Sequence, residues 1–297
     1  MTDDISPNRY FLAGTAFEAP PLAPGLYVVA TPIGNLRDIT VRALETLAAV
    51  DVVYCEDTRT SAKLLDHFGI KTPRKPLHEH NERQRIEAVL ADLGRGARIA
   101  LISDAGTPLL SDPGFPLVRA VREAGFDVFA VPGPSALLAA LAVAGLPTDR
   151  FTFVGFLPPK AGARDKTIAA LAARTETLVF YESPRRLPEA LAALASGFGA
   201  DRPAVVALEL TKRFERVFRA GLGTLASQFA AEETKGEAVI MVAGTTEAAP
   251  SAEDWQAALD EALADQPLRG AVDEIAARFG LKRKDVYDAA LARKAQE

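Results

Sequence analysis

Short apolar runs alternate with amphipathic stretches from about residue 26 to residue 145. The runs are continuous and rich in Val, Ile and Leu, which is typical of strands that are buried on both faces of a sheet. The stretches between them repeat apolar residues every three or four positions, which predicts helices with one buried face. This alternation predicts βαβ units and a mostly parallel sheet. The predicted strands are 26–33, 51–55, 98–103 and 127–132, and the predicted helices are 40–50, 60–69, 82–94, 115–125 and 134–145.

The pattern changes beyond the polar segment 145–151, which we interpret as a domain boundary. Apolar runs at 213–221 and 237–244 lie close enough in sequence to predict antiparallel strands around one short helix. The second half is therefore predicted to be a mixed α/β domain. Its other predicted strands are 151–156, 177–182 and 204–210, joined by helices near 165–174 and 185–197.

Both ends of the chain depart from this alternation. Residues 1–23 are rich in Pro and small residues and have no apolar period, which predicts a flexible arm. Residues 271–291 have the apolar spacing of a helix-turn-helix with Gly280 at the turn, although an αα-hairpin packed on its own chain fits the same spacing. Acidic residues outnumber basic ones over 248–297, so we do not expect this tail to bind nucleic acid by itself. The predicted division is a flexible arm (1–23), an N-terminal α/β domain (24–147), a C-terminal mixed α/β domain (148–246) and a linker with a helix-turn-helix-like tail (247–297).

The composition is that of a folded protein with room for two cores. The 297 residues are 48% hydrophobic and 25% charged, and the net charge is −5. That charge argues against a protein that coats nucleic acid, but the basic stretches 71–85 and 158–186 can still contact it locally. A single Cys, the lack of an apolar signal region and the lack of a long apolar run predict a cytoplasmic protein without a membrane span.

Several common site chemistries find no support in the sequence. No GxxxxGK[ST] phosphate loop is present, and the GxGxxA match at 221–226 comes late in the chain, where a hairpin turn is the simpler interpretation. Three histidines without a CxxC pair predict no metal site. Ser135 and Ser183 follow strands but lie outside any GxSxG segment, so acyl-enzyme chemistry is not expected.

The segment SDAGTPLLSDPG, residues 103–114, follows a predicted buried strand, and this is where open α/β sheets bind ligands. Two carboxylates make it a poor phosphate site, because negative charges in a cleft repel an anion. They favour a ligand with hydroxyl donors or positive charge, such as S-adenosylmethionine, although an uncharged sugar would also satisfy them. We assign Asp104 to the ligand and Asp112 to holding the turn.

Nine segments in this order resemble the ribosomal RNA small-subunit methyltransferase I family of the tetrapyrrole-methylase-like superfamily. They are LYVVATPIGNLRDIT, CEDTRTSAKLL, HEHNE, SDAGTPLLSDPGF, VPGPSA, FVGFLP, FYESPRRL, ELTKRFE and KGEAVIMV. The resemblance implies two α/β domains of the tetrapyrrole-methylase type with a cofactor cleft between them, plus a small C-terminal helical unit. It also implies a homodimer that uses S-adenosyl-L-methionine to methylate a cytidine ribose 2′-hydroxyl in the decoding region of 16S rRNA.

The resemblance also implies roles for individual residues. The cofactor-binding residues would be Pro32, Asp104, Gly106, Thr107, Ser111, Pro132, Gly133, Ser135, Phe156, Leu210, Glu237 and Ala238. Much of the acceleration of a methyl transfer can come from positioning, and Lys212 and Glu182 are our candidates for catalytic groups near the strand ends. The RNA contacts would be Asn35, Arg59, Asn81, Lys160, Arg185 and Arg186.

Two other functions compete with this interpretation. One is a methyltransferase of the same superfamily that acts on a tetrapyrrole or another small molecule, and the basic segments 158–166 and 182–186 argue against it. The other is a non-catalytic RNA-binding assembly factor, which would not bind S-adenosylmethionine.

Asp104→Ala is expected to weaken cofactor binding without unfolding the protein, because it removes one carboxylate from the proposed ligand loop. Calorimetric titration with S-adenosylmethionine measures the affinity, and a thermal melt checks the fold. An unchanged affinity would remove Asp104 from the site.

Overall fold

The computed structural model describes residues 8–78, 81–231, 234–245, 252–279 and 281–294. The chain divides into two compact units between Gly244 and Thr245. The first unit holds both α/β sheets and the second holds only helices.

The first described residues form a β-hairpin, which differs from the flexible arm expected for this region. Strands β1 (Arg9–Leu12) and β2 (Thr15–Glu18) pair in antiparallel register. Tyr10 is only 3% exposed and is part of the first sheet's core, and the Phe11 N–H donates a hydrogen bond to the Phe68 carbonyl at 2.8 Å. The sequence pattern did not predict this hairpin, because a single buried aromatic residue anchors it and one residue forms no apolar repeat.

The first sheet has five strands, all parallel, in the order β5-β4-β6-β3-β7. Helices α1 and α2 contribute to the core on one face, and α3 and α4 to the core on the other. The short strand β5 was not predicted, because its sequence RKP has neither an apolar run nor a strand-forming residue. The elements are β3 (Gly25–Val29), α1 (Val41–Ala49), β4 (Val52–Cys55), α2 (Thr58–His67), β5 (Arg74–Pro76), α3 (Glu82–Gly94), β6 (Arg98–Ile102), α4 (Phe115–Glu123) and β7 (Val128–Val131).

The second sheet is mixed, with the order β11-β10-β12-β9-β8. Strands β8 and β9 are parallel, and the remaining neighbours are antiparallel. The antiparallel pair predicted from 213–221 and 237–244 is wrong: β11 and β12 lie on either side of β10 and each runs antiparallel to it, so they run parallel to one another. Helices α6, α7 and α8 cover one face. The elements are β8 (Phe151–Phe156), α6 (Ala161–Leu171), β9 (Thr177–Glu182), α7 (Leu187–Phe198), β10 (Pro203–Leu208), β11 (Arg216–Gly221), α8 (Leu222–Ala231) and β12 (Ala238–Val242).

The other face of the second sheet is covered by α5 (Ala136–Ala144), the helix that follows the last strand of the first sheet. Its buried side chains pack against β9, β10 and β12. The Tyr181 hydroxyl accepts a hydrogen bond from the Leu137 N–H at 3.1 Å, and Arg219 Nε donates to the Ala144 carbonyl at 3.1 Å. Because the second sheet holds both ends of α5, this helix joins the two halves into one unit.

The second unit consists of α9 (Ala252–Asp265), α10 (Leu268–Phe279) and α11 (Arg283–Lys294). Its own core includes Leu259, Val272, Ile275 and Val286. Two of these helices cover the segment predicted as a helix-turn-helix, while Gly280, placed at the turn, lies outside the described residues. In the described part of the chain, no helix combines the length and apolar character needed to cross a bilayer.

Candidate active site

A cleft of about 350 Å³ lies where strand ends of the two sheets face each other. Its walls are the loop after β6, the start of α5, the ends of β8 and β9, and the start of β12. This volume is in the range of small-molecule sites, roughly 300 to 1,000 Å³. The position agrees with the rule that α/β sheets bind ligands beyond the carboxyl ends of their strands.

The loop 103–114 is fixed by backbone pairing rather than by side chains alone. The Thr31 N–H donates to the Gly106 carbonyl at 2.8 Å, and the Gly106 N–H donates to the Thr31 carbonyl at 2.9 Å. The Thr107 hydroxyl donates to the Pro134 carbonyl at 3.2 Å. Leu109 and Ser111 have positive φ angles of 78° and 67°, a strained conformation that folds tolerate mainly at functional sites. The loop is therefore held in one shape beside the cleft.

Asp104 and Asp112 both line the cleft. Asp104 Oδ1 accepts a hydrogen bond from the Asp57 N–H at 3.1 Å, which places this carboxylate at the start of α2. Burial raises the pKa of Asp104 and raises that of Asp112 to about 6; Ser103 opposes the shift at Asp112, and the charges of Glu56 and Asp104 add to it. Our sequence-based assignment of Asp112 to the turn alone is incomplete, because its carboxyl also borders the cleft.

Glu182 is the last residue of β9, and its side chain is fully buried against the cleft. Oε1 accepts a hydrogen bond from the Ser183 N–H at 2.8 Å. Oε2 lies 3.3 Å from Arg186 Nη2 but makes no hydrogen bond in the described part of the chain. Burial raises the pKa of Glu182, and the Ser183 N–H and the Arg186 charge oppose that shift. This carboxylate therefore has one oxygen that is paired with a cation but accepts no hydrogen bond.

Lys212 lies beside the cleft and is held by two carboxylates. Its Nζ donates to Glu209 Oε1 at 2.8 Å and to Glu237 Oε2 at 3.2 Å, and Glu237 lines the cleft. Burial alone would lower the pKa of Lys212, but the hydrogen bond that it donates to Glu209 and the charge of Glu237 outweigh the effect of burial and raise the pKa. Lys212 therefore stays charged and fixes the position of Glu237. As an ammonium it has no lone pair with which to accept a proton.

Two glycines make room for this cluster. The lysine stem packs directly over Gly34, where any Cβ would overlap it, and the Glu209 side chain packs over Gly236 in the same way. Gly34 belongs to the loop after β3 and Gly236 to the loop before β12. The lysine therefore joins a loop of the first sheet to the cleft edge of the second.

Most of the predicted cofactor residues line the cleft: Asp104, Gly106, Thr107, Ser111, Ser135, Phe156, Glu237 and Ala238. Pro32, Pro132, Gly133 and Leu210 are not among the lining residues. Leu210 is only 7% exposed and packs in the core that includes α5, and Gly133 packs against Ala30.

The sequence did not single out several lining residues. They are Ile33, Ala105, Leu110, Ala136, Tyr181, Ser183, Pro184, Gly236 and Val239. Most of them adjoin a predicted residue, so the motifs located the walls without resolving each contact. Tyr181 adjoins Glu182 as well, but only the packing of α5 on β9 shows that its hydroxyl meets the Leu137 N–H.

The predicted RNA contacts fall into two groups. Lys160 and Arg185 are exposed. The others are engaged within the protein: Arg59 with Asp57, Asn35 with the Arg37 N–H, Asn81 with the His78 N–H and the Pro76 carbonyl, and Arg186 with Glu182 and the Leu157 carbonyl. The first group, together with the still exposed Arg59, is the better placed to reach a phosphate.

Four carboxylates thus face one cleft: Asp104, Asp112, Glu182 and Glu237. Among the described residues, no three His, Cys, Asp or Glu side chains are grouped so that they could hold a metal ion. Charges of one sign around a partly buried cleft favour a ligand of the opposite charge. The arrangement therefore suits an organic cation that also offers hydroxyl or amino donors.

Comparison with known proteins places the chain among methyltransferases. Residues 25–226 match the family described as Tetrapyrrole (Corrin/Porphyrin) Methylases, and residues 249–294 match the RsmI C-terminal HTH domain. A relative in Mesorhizobium japonicum named "Ribosomal RNA small subunit methyltransferase I" is 48% identical, with 92% of this chain and 93% of the relative covered. A relative of the same name in Pseudomonas aeruginosa is 47% identical, with 90% and 97% covered.

A solved structure shares the fold. The uroporphyrin-III C-methyl transferase of Thermus thermophilus, complexed with S-adenyl homocysteine, matches with a TM-score of 0.51 at 20% identity. The match covers 74% of this chain and 97% of that one. The expected fold class of paired α/β domains is confirmed.

Asp112→Asn is expected to stabilise the protein at about pH 7.5 by on the order of 2 kcal/mol and to have little effect at about pH 4. The folded-state pKa of about 6 lies above the ordinary 3.8, so wild-type stability falls as the pH rises between these values and the carboxyl has to ionise. The amide mimics the protonated form and escapes that cost. Urea unfolding at both pH values measures the difference.

Asp149→Asn, which removes an exposed carboxylate, is the matched control. A stability difference for Asp112→Asn that is equal at the two pH values would contradict the raised pKa.

Proposed function

The chain belongs to the ribosomal RNA small subunit methyltransferase I family, and on that premise we propose that it methylates the 2′-oxygen of a cytidine ribose in the decoding region of 16S rRNA. The observation that carries the proposal is the cleft with four carboxylates in a chain that matches these relatives along nearly its whole length. S-Adenosyl-L-methionine is the methyl donor.

The cleft residues fit this donor. Its sulfonium and amino groups are cations, which four carboxylates favour, and its ribose hydroxyls can donate to Asp104 or Glu237. The donor supplies an activated methyl group on a positively charged sulfur. Gly106, at φ 80°, allows the backbone to approach the ligand closely.

Glu182 is the residue that we propose to accept the proton of the ribose 2′-hydroxyl. Glu182 lines the cleft, its Oε2 accepts no hydrogen bond in the described part of the chain, and burial raises its pKa toward the value that a general base needs near neutral pH. Arg186 lies close enough to stabilise the carboxylate before the transfer. Lys212, our second sequence-based candidate, acts in this proposal by positioning Glu237.

RNA is favoured over a tetrapyrrole as the substrate by the exposed cations near the cleft. Lys160 follows β8 by four residues and Arg185 follows β9 by three, at the strand ends that form the cleft. Dispersed cations of this kind suit a phosphate backbone rather than a rigid macrocycle. The homodimer and the cytoplasmic location stay predictions.

The function is tested by incubating the protein with small ribosomal subunits from cells that lack it and with S-adenosylmethionine labelled in the methyl group. We expect label on the ribose of one cytidine in the 16S rRNA, mapped by nuclease digestion and mass spectrometry. Label on a base would refute the 2′-O assignment. Binding of S-adenosylmethionine without label on the RNA would favour the small-molecule methyltransferase, and no binding would favour the assembly factor.

Glu182→Gln is expected to lower kcat by roughly a hundredfold or more, because the amide cannot take the proton. The KM for S-adenosylmethionine is expected to rise by a smaller factor than kcat falls, because three carboxylates of the cleft remain. Glu123→Gln is the control: it removes an exposed carboxylate of α4 that pairs with Arg119 and lies outside the cleft. An unchanged kcat for Glu182→Gln would exclude Glu182 as the proton acceptor.

A further inference from the structure

The loop 209–215, between β10 and β11, presents an aromatic side chain to solvent. Phe214 is 69% exposed, and the guanidinium carbon of Arg213 lies 5.5 Å from the centre of its ring. Among the described residues it is the most exposed large apolar side chain. Phe214 is not an isolated apolar residue, because its ring and the Arg213 guanidinium form a pair of flat groups in contact.

The backbone holds this pair in a fixed position. Glu209 and Thr211 have positive φ angles of 50° and 65°, which non-glycine residues seldom adopt. The Thr211 N–H donates to Glu215 Oε2 at 2.6 Å, and the Lys212 N–H donates to the Glu209 carbonyl at 3.0 Å. The strain and the internal hydrogen bonds indicate a loop built to present its tip.

The loop begins at the edge of the sheet where the cleft lies. Leu208, the last residue of β10, pairs with Ala238, which in turn pairs with Glu182. Ala238 and Glu182 both line the cleft. Lys212, two residues before Phe214, reaches the cleft residue Glu237. Phe214 is therefore carried by a loop that is anchored to the cleft wall.

The negative charge of the cleft limits which part of an RNA Phe214 and Arg213 can bind beside it. Four carboxylates repel phosphate groups at the cleft itself. The cations beside them are already paired, Lys212 with Glu209 and Glu237 and Arg186 with Glu182. A polynucleotide can be held close to such a surface by stacking of a neutral base, which adds no negative charge. Aromatic rings and arginine planes are the groups on which proteins stack unpaired RNA bases.

We propose that Phe214 and Arg213 form a platform on which an unpaired base of the RNA substrate stacks while its neighbouring ribose enters the cleft. This inference rests on the proposed function. The ring supplies a neutral stacking surface and the guanidinium a cation beside it, so one base is gripped without a phosphate contact in the acidic cleft.

The test compares Phe214→Ala, Phe214→Leu and Phe214→Trp with the wild type, using small subunits from cells that lack the protein and labelled S-adenosylmethionine. We expect Ala and Leu to raise the KM for subunits about tenfold or more, and Trp to retain wild-type values, because stacking needs an aromatic ring. The affinity for S-adenosylmethionine, measured by calorimetry, is expected to stay unchanged in all three.

Phe151→Ala is the matched control, since Phe151 is a 40% exposed residue at the first position of β8, at the opposite edge of the same sheet. An unchanged KM for Phe214→Ala would overturn the platform. So would a Leu variant as good as the wild type, or a change in oligomeric state by light scattering, since both would indicate an apolar contact with a protein partner. A wild type that places no label on ribose would instead refute the proposed function, and the platform with it.

Discussion

The packing of α5 on the second sheet is the constraint on which the site depends. The helix follows the last strand of the first sheet, but Leu137, Ala140, Leu141 and Ala144 bury against strands of the second. Burial of each leucine contributes roughly 1.5 to 3 kcal/mol. Hydrogen bonds involving Tyr181 and Arg219 fix the two ends of the helix. Because α5 belongs to one half by sequence and to the other by packing, the strand ends of both halves face one cleft.

The cleft concentrates like charges where burial makes them costly. Its effect is clearest at Asp112, whose pKa rises to about 6 because desolvation opposes ionisation and the charges of Glu56 and Asp104 add to it. Strain accumulates in the same region, since Leu109, Ser111, Glu209 and Thr211 all have positive φ angles. A fold carries such costs at a site where a ligand supplies the compensating interaction. The cationic methyl donor that we propose for this cleft would supply it.

The same electrostatics separates the roles of the basic residues. Lys212 and Arg186 are bound to carboxylates of the site, so they position acidic groups. Lys160 and Arg185 are exposed and remain available to an anionic partner. The RNA would then be held by cations at the margin and by a stacked base at Phe214, while the acidic cleft takes the donor.

The alternation of apolar runs was enough to predict the strands of both sheets apart from β5 and the N-terminal hairpin, because a strand buried on both faces needs a continuous apolar run. The hairpin and β5 escaped because each is short and depends on contacts with residues far along the chain, such as the Phe11 N–H on the Phe68 carbonyl. The motif SDAGTPLLSDPG was likewise sufficient to predict a site for a cation rather than for a phosphate, because its negative charge is a property of the residues themselves. Only the tertiary structure decided that Asp112 borders the cleft and that the Lys212 ammonium is paired with Glu209 and Glu237. The same holds for the hydrogen bond of the Tyr181 hydroxyl with the start of α5. These features depend on burial and on contacts between residues from distant parts of the chain, and a local stretch of sequence specifies neither the burial nor the contacts.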